Sequence, residues 1–142
     1  MIVVGVVVVT HGQLAVELLN AAETIVGDLP RFAAVSIGWH EDTGDAREEI
    51  AQAVAKVQQS QQGQPGQGVL IVTDMFGGTP SNLAMTFLGQ DVEVITGVNL
   101  PMLIKLASLK EKPNLLDVAR EMRDHGRNAI WVASDLLRGE KT

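Results

Sequence analysis

The chain has 142 residues, 46% of them apolar and 20% charged, with a formal charge of −6 and no cysteine. That length supports one sizeable core and a single domain spanning residues 1–142. The missing thiols exclude disulfides and thiolate metal sites, and the acidic balance argues against a nucleic-acid binder.

The run Ile2 to Val9 is continuously apolar and β-branched, the pattern of a central strand covered on both faces. It does not read as a signal peptide, because no basic segment precedes it and it breaks at Thr10-His11-Gly12. No stretch approaches the roughly 18 apolar residues of a membrane span, so a soluble, cytoplasmic protein is expected. Gln13 to Val26 has helical spacing, with Leu14, Leu18, Leu19, Ala22, Ile25 and Val26 on one face and Gly27 placed to end it. Ala33 to Trp39 reads as a second strand. Asp42 or Thr43 caps a second helix, with Ile50, Val54 and Val57 along one side. Gln58 to Gly68, rich in Gln, Gly and Ser, reads as the end of that helix and a surface loop. The segment before it is too short to form a separate core, so it is not an interdomain linker.

Gly68 to Thr73 is the third predicted strand. Thr79 is expected as a helix N-cap, with Pro80 in the first helical position. Leu83, Ala84, Phe87 and Leu88 would form the buried face of that helix and Gly89 its stop. Val92 to Val98 is a fourth strand, Asn99 caps a helix over 100–109, and Asn114 caps another over 115–125 that Gly126 ends. Ala129-Ile130-Trp131-Val132-Ala133 is predicted as a late fifth strand.

This alternation predicts an α/β fold, doubly wound around a mainly parallel sheet. In a flavodoxin-like order 2-1-3-4, strands one and three are neighbours, and the switch point lies between their carboxyl ends. His11 and Asp74 would then face each other across that crevice.

A neutral imidazole is a good nucleophile toward phosphorus near pH 7. It needs a partner that fixes its tautomer, and a carboxylate hydrogen-bonded to the second ring nitrogen does this. Asp74 fits that role for His11. The glycine pair Gly77-Gly78 lets backbone N–H groups approach a phosphoryl group, and Thr79 adds a hydroxyl at the start of a helix. Each residue alone has a plainer account: a structural histidine, a turn, a helix cap. Together they favour a phosphate site. His40, in an acidic turn, and His125, in a last helical turn, carry little functional signal. The three histidines lie on separate segments with no usable ligand spacing, so neither a metal nor another cofactor is expected.

These residues resemble the enzyme IIA domain of the mannose family of the bacterial phosphoenolpyruvate-dependent sugar phosphotransferase system. The likeness rests on Thr10-His11-Gly12 after the first strand, on Asp74-Met75-Phe76-Gly77-Gly78-Thr79-Pro80-Ser81-Asn82, and on Thr96-Gly97-Val98-Asn99-Leu100-Pro101-Met102. It covers essentially the whole chain, in order and at matching spacing. The resemblance implies that His11 is phosphorylated on Nε2 by the phosphocarrier protein HPr and passes the group to a histidine of a IIB partner during sugar import. It implies that Asp74 holds His11 Nδ1, that Thr79 contacts the phosphoryl group, and that Met75 and Phe76 line the site. It also implies a homodimer in which a late strand, here 129–133, is antiparallel and a candidate for exchange between subunits. Two features depart from the family. The Gln/Gly-rich loop is outside its pattern, and no IIB domain follows within these 142 residues, so IIB is expected on a separate protein. A stand-alone regulatory phosphoprotein is the alternative role.

Two rivals use the same residues differently. Asp74-Met75-Phe76-Gly77-Gly78-Thr79 superficially resembles the nucleophile motif of haloacid-dehalogenase-like phosphatases, but the second carboxylate that chemistry needs two residues on is Phe76. A flavodoxin-like ligand module would stack its flavin on aromatics, and only 4% of this chain is aromatic, with no Tyr.

Overall fold

A computed structural model describes residues 3–59, 67–110 and 114–139. Four strands and six helices, alternating as far as α4, follow along these residues: β1 (Val3–His11), α1 (Leu14–Val26), β2 (Phe32–Ile37), α2 (Thr43–Gln59), β3 (Gln67–Thr73), α3 (Thr79–Met85), β4 (Val92–Thr96), α4 (Leu100–Ala107), α5 (Leu115–Asn128) and α6 (Ala133–Leu137). The sheet is parallel throughout, in the order β2-β1-β3-β4.

Valine makes β1 the centre. Val6, Val7, Val8 and Val9 are buried on both faces, each side chain stabilising by about 1.5–3 kcal/mol on leaving water. Val4, Val6 and Val8 pack with Leu70 and Val72 against Ala15 and Leu19 of α1, Met102, Leu103 and Leu106 of α4, and Val118 and Met122 of α5. Val7 and Val9 pack with Val69 and Ile71 on the other face, against Ile50, Val54 and Val57 of α2 and Ala84 of α3. Side chains alternate faces along a strand, so one apolar run feeds two cores.

The caps explain most element ends. Asn99 Oδ1 accepts from Met102 N–H at 3.1 Å and Asn114 Oδ1 from Asp117 N–H at 2.8 Å, so both predicted asparagine caps form. Asp42, not Thr43, caps α2, its Oδ2 accepting from Asp45 N–H at 3.1 Å. Gly27 ends α1 at φ +90°. Gly126, in contrast, does not end α5, which runs on to Asn128. It is buried instead, and a Cβ there would lie 3.0 Å from Met102 Cε. The predicted second and fourth strands stop short, at Ile37 and Thr96. Gly38 turns back to bond Glu41, and Gly97 takes φ +86°. Leu88, expected in the buried face of α3, lies beyond that helix and is exposed. Of the predicted Gln/Gly-rich loop, residues 60–66 lie outside the described part.

The predicted fifth strand does not form in this chain. Residues 129–132 leave α5 without a ladder partner, and Ala133 is taken into α6. Leu136 N–H donates to the Val132 carbonyl at 3.0 Å, and Arg138 pairs with Asp135 at 2.6 Å. This local helical turn captures one end of the apolar run.

Candidate functional site

The crevice lies where β1 and β3 end side by side. Val9 is paired with Thr73, so the chain leaves both strands at the same level, and His11 and Asp74 meet although 63 residues separate them. The Asp74 carboxylate holds both ends of this histidine. Its Oδ2 accepts from the His11 backbone N–H at 3.0 Å and lies 2.7 Å from His11 Nδ1. Its Oδ1 accepts from Met75 N–H at 2.9 Å. Burial alone pushes the Asp74 carboxyl up, but the bonds from the His11 N–H, the His11 ring and the Met75 N–H outweigh it and hold the group below the ordinary carboxylate value. The imidazole itself is about half exposed, whereas the Asp74 side chain is largely covered. The arrangement is a fixed base under an accessible ring: Nδ1 is engaged and Nε2 is the nitrogen left for chemistry.

Gly77 and Gly78 form the turn that faces this ring. Gly77 takes φ +90°, a conformation that suits glycine. At Gly78 the reason is space, since a Cβ would lie 2.8 Å from His11 Cε1 and 3.2 Å from Nε2. Gly78 also occupies the cap position of α3, correcting the expectation that Thr79 is the cap. Thr79 is the first helical residue, Pro80 follows it, and among the described residues the Thr79 hydroxyl takes no hydrogen bond. It is exposed and free to meet a ligand.

Sequence reasoning assigned no role to Ser81, which is fully buried. Its hydroxyl accepts from Gly77 N–H at 3.0 Å and donates to the Gly78 carbonyl at 3.1 Å, bracing the turn from inside. A hydroxyl three residues past a glycine at a helix start is the available signal, because such side chains bond local backbone. Thr10, also buried, accepts from Ala15 N–H at 2.7 Å and ties the end of β1 to α1. Met75 and Phe76 stand exposed beside the crevice. His40 sits on the turn after β2 and His125 in the last turn of α5.

Among the described residues no cluster of three His, Asp or Glu side chains could hold a metal, and no helix is long and apolar enough to cross a membrane. A family model described as PTS system fructose IIA component, EIIA-man, matches residues 5–122. The chain belongs to this family. As an EIIA-man chain it is a phosphotransferase-system protein. It is similar to the fructose-specific EIIA component of Bacillus subtilis (strain 168), 28% identical over 141 residues that cover 98% of this chain and 92% of that protein. It is 28% identical over 130 residues to the mannose-specific EIIAB component of Escherichia coli (strain K12), covering 89% of this chain but 38% of that longer protein. Among solved structures, the IIA protein associated with the fucose utilization operon of Streptococcus pneumoniae aligns with a TM-score of 0.80 at 25% identity, over 94% of this chain and 96% of that one. The mannose/sorbose-specific IIA subunit of Enterococcus faecalis aligns with a TM-score of 0.74 at 27% identity, over 90% and 92% of the two chains.

Proposed function

We propose that this EIIA-man chain is a single phosphocarrier domain, residues 1–142, that takes a phosphoryl group from phospho-HPr on His11 Nε2 and delivers it to a separate IIB protein for sugar uptake. The observation that carries the reading is the 2.7 Å contact of His11 Nδ1 with Asp74, which fixes the tautomer that exposes Nε2. Nε2 attacks phosphorus in line. The new N–P bond forms as the donor's N–P bond breaks, and the donor imidazole leaves with the electron pair. Positive charge on the His11 ring is offset by Asp74 across Nδ1–H. The Gly78 N–H and the Thr79 hydroxyl receive the phosphoryl oxygens, while the Gly77 N–H stays on Ser81 Oγ and holds the turn in shape. Such transfer depends on positioning and on charge stabilisation, which this set supplies. Transfer to IIB is the same step reversed onto another histidine.

The reading also includes a cytoplasmic location and a homodimer in which 129–133 of one copy pairs with β4 of the other. The open edge of β4 and the exposed Ile130, Trp131 and Val132 support that pairing. The test is intact mass and peptide mapping after incubation with phosphoenolpyruvate, enzyme I and HPr. One acid-labile phosphoryl group on His11, lost in His11→Ala, is expected. Full labelling of His11→Ala would overturn the assignment.

A further inference from the structure

The loop after β2 starts beside the segment that carries the nucleophile. His11 is in register with Ile37, and Gly12 N–H donates to the Ile37 carbonyl at 2.9 Å. The chain then turns at Gly38, Trp39 and His40. The turn is closed on itself: Gly38 N–H donates to Glu41 Oε1 at 3.1 Å, and Glu41 N–H to the Gly38 carbonyl at 3.2 Å. At its tip Trp39 is 91% exposed, and its ring meets that of His40 edge-on at 5.9 Å. On the other side of His11, Met75 and Phe76 are 60% and 70% exposed. The strand order β2-β1-β3 therefore places the histidine between two apolar projections.

Resting on the carrier reading above, we propose that the 38–40 turn, with Trp39 at its tip, is a docking element for the phosphoryl donor. The occupant is a folded protein that presents a phosphohistidine from an apolar face rimmed by basic side chains. A small anionic donor gains nothing from a tryptophan held in water, whereas Trp is among the side chains that dominate protein interfaces. The closed turn presents it with little ordering left to do on binding. The basic rim follows from charge. Residues 38–45 carry Glu41, Asp42 and Asp45 and no Lys or Arg, so a basic partner is steered to this edge. A second copy is a poorer fit here. The exposed Ile130 borders the groove beside β4, and β4 and β2 are opposite edges of the sheet.

Two donors separate docking from chemistry. Phospho-HPr must dock, whereas phosphoramidate only transfers its phosphoryl group to Nε2 and releases ammonia. Trp39→Ala is expected to raise the KM for phospho-HPr by at least about tenfold, the scale of an interface hot spot. Its kcat, and its labelling by phosphoramidate, should stay within about twofold of the parent, and Trp39→Phe should recover most of the KM. An unchanged KM with normal phosphoramidate labelling overturns the docking element and leaves the carrier reading standing. Loss of labelling by both donors in Trp39→Ala also overturns it, because the turn would then be supporting His11 itself. If neither donor labels the parent protein, the carrier reading falls and the docking element with it.

Discussion

The crevice at the ends of β1 and β3 and the open edge at β4 are built on opposite terms. In the crevice the chain satisfies itself: Asp74 spends both oxygens on His11 and Met75, and Ser81 closes the glycine turn. At β4 it does not. Among the described residues no strand pairs with one side of β4, where Gly89 N–H bonds the Val92 carbonyl at its start, and a groove of about 520 Å³ runs between β4 and α5, lined by Arg120, Arg123, Arg127 and Ile130. Exposed edges invite pairing with another chain. The contrast teaches that the crevice is satisfied within one copy, whereas the β4 edge is left unpaired.

Substitutions can break that separation or sharpen it. The largest effect on labelling, after loss of His11 itself, is expected from Gly78→Ala. The new methyl would force the imidazole away from the turn, and a displacement near 1 Å costs about a hundredfold in rate. Stopped-flow or quench-flow phosphorylation by phospho-HPr measures it. Asp74→Asn should keep the fold and slow transfer by about ten- to a hundredfold, the worth of a charge-assisted hydrogen bond of about 1.5–3 kcal/mol. This carboxyl also sets a pH dependence. Because its folded value is lowered, its contribution to stability is complete above the unfolded value near 4 and is lost as pH falls through the folded one. Acid unfolding followed by circular dichroism should show that limb in the parent and not in Asp74→Asn. Ser81→Ala should destabilise by about 0.5–1.5 kcal/mol, the net worth of the hydrogen bond lost from Gly77 N–H; thermal melts report it. Ile130→Asp should change labelling least, within about twofold, because the β4 edge takes no part in the chemistry. It should nevertheless lower the oligomeric state seen by light scattering. A large labelling defect in Ile130→Asp would show that the two regions are not separate.

Much of this architecture is legible in the residues. The valine run reads as a doubly covered strand, and the rise and fall of apolar periodicity located β2, β3, β4 and their helices. The His11–Asp74 encounter followed from strand order, a topological rule rather than a local signal. What escaped was three-dimensional in origin. Gly78 looks like a turn residue until the imidazole is seen against it. Ser81 looks like a helix residue until its two bonds are seen. Trp39 was expected in the second strand, but the backbone bonds of Gly38 and Glu41 turn it outward. Residues 129–133 have strand composition, yet a strand exists only where a partner edge is available, and within one copy α6 takes Ala133 instead. Short apolar runs do not announce which outcome wins.

The all-valine centre of the sheet has a consequence for biogenesis. Of the described elements β1 is made first, and it is flanked in the finished sheet by β2 and β3. Translation proceeds at about 5–20 residues per second, so the roughly 60 residues from His11 to the end of β3 take about 3–12 s to emerge. Throughout that interval a strongly β-prone segment without charge or proline lacks at least one neighbour, which is the composition of an aggregation nucleus. The same residues that build the buried centre of the sheet leave the nascent chain open to aggregation until β3 arrives.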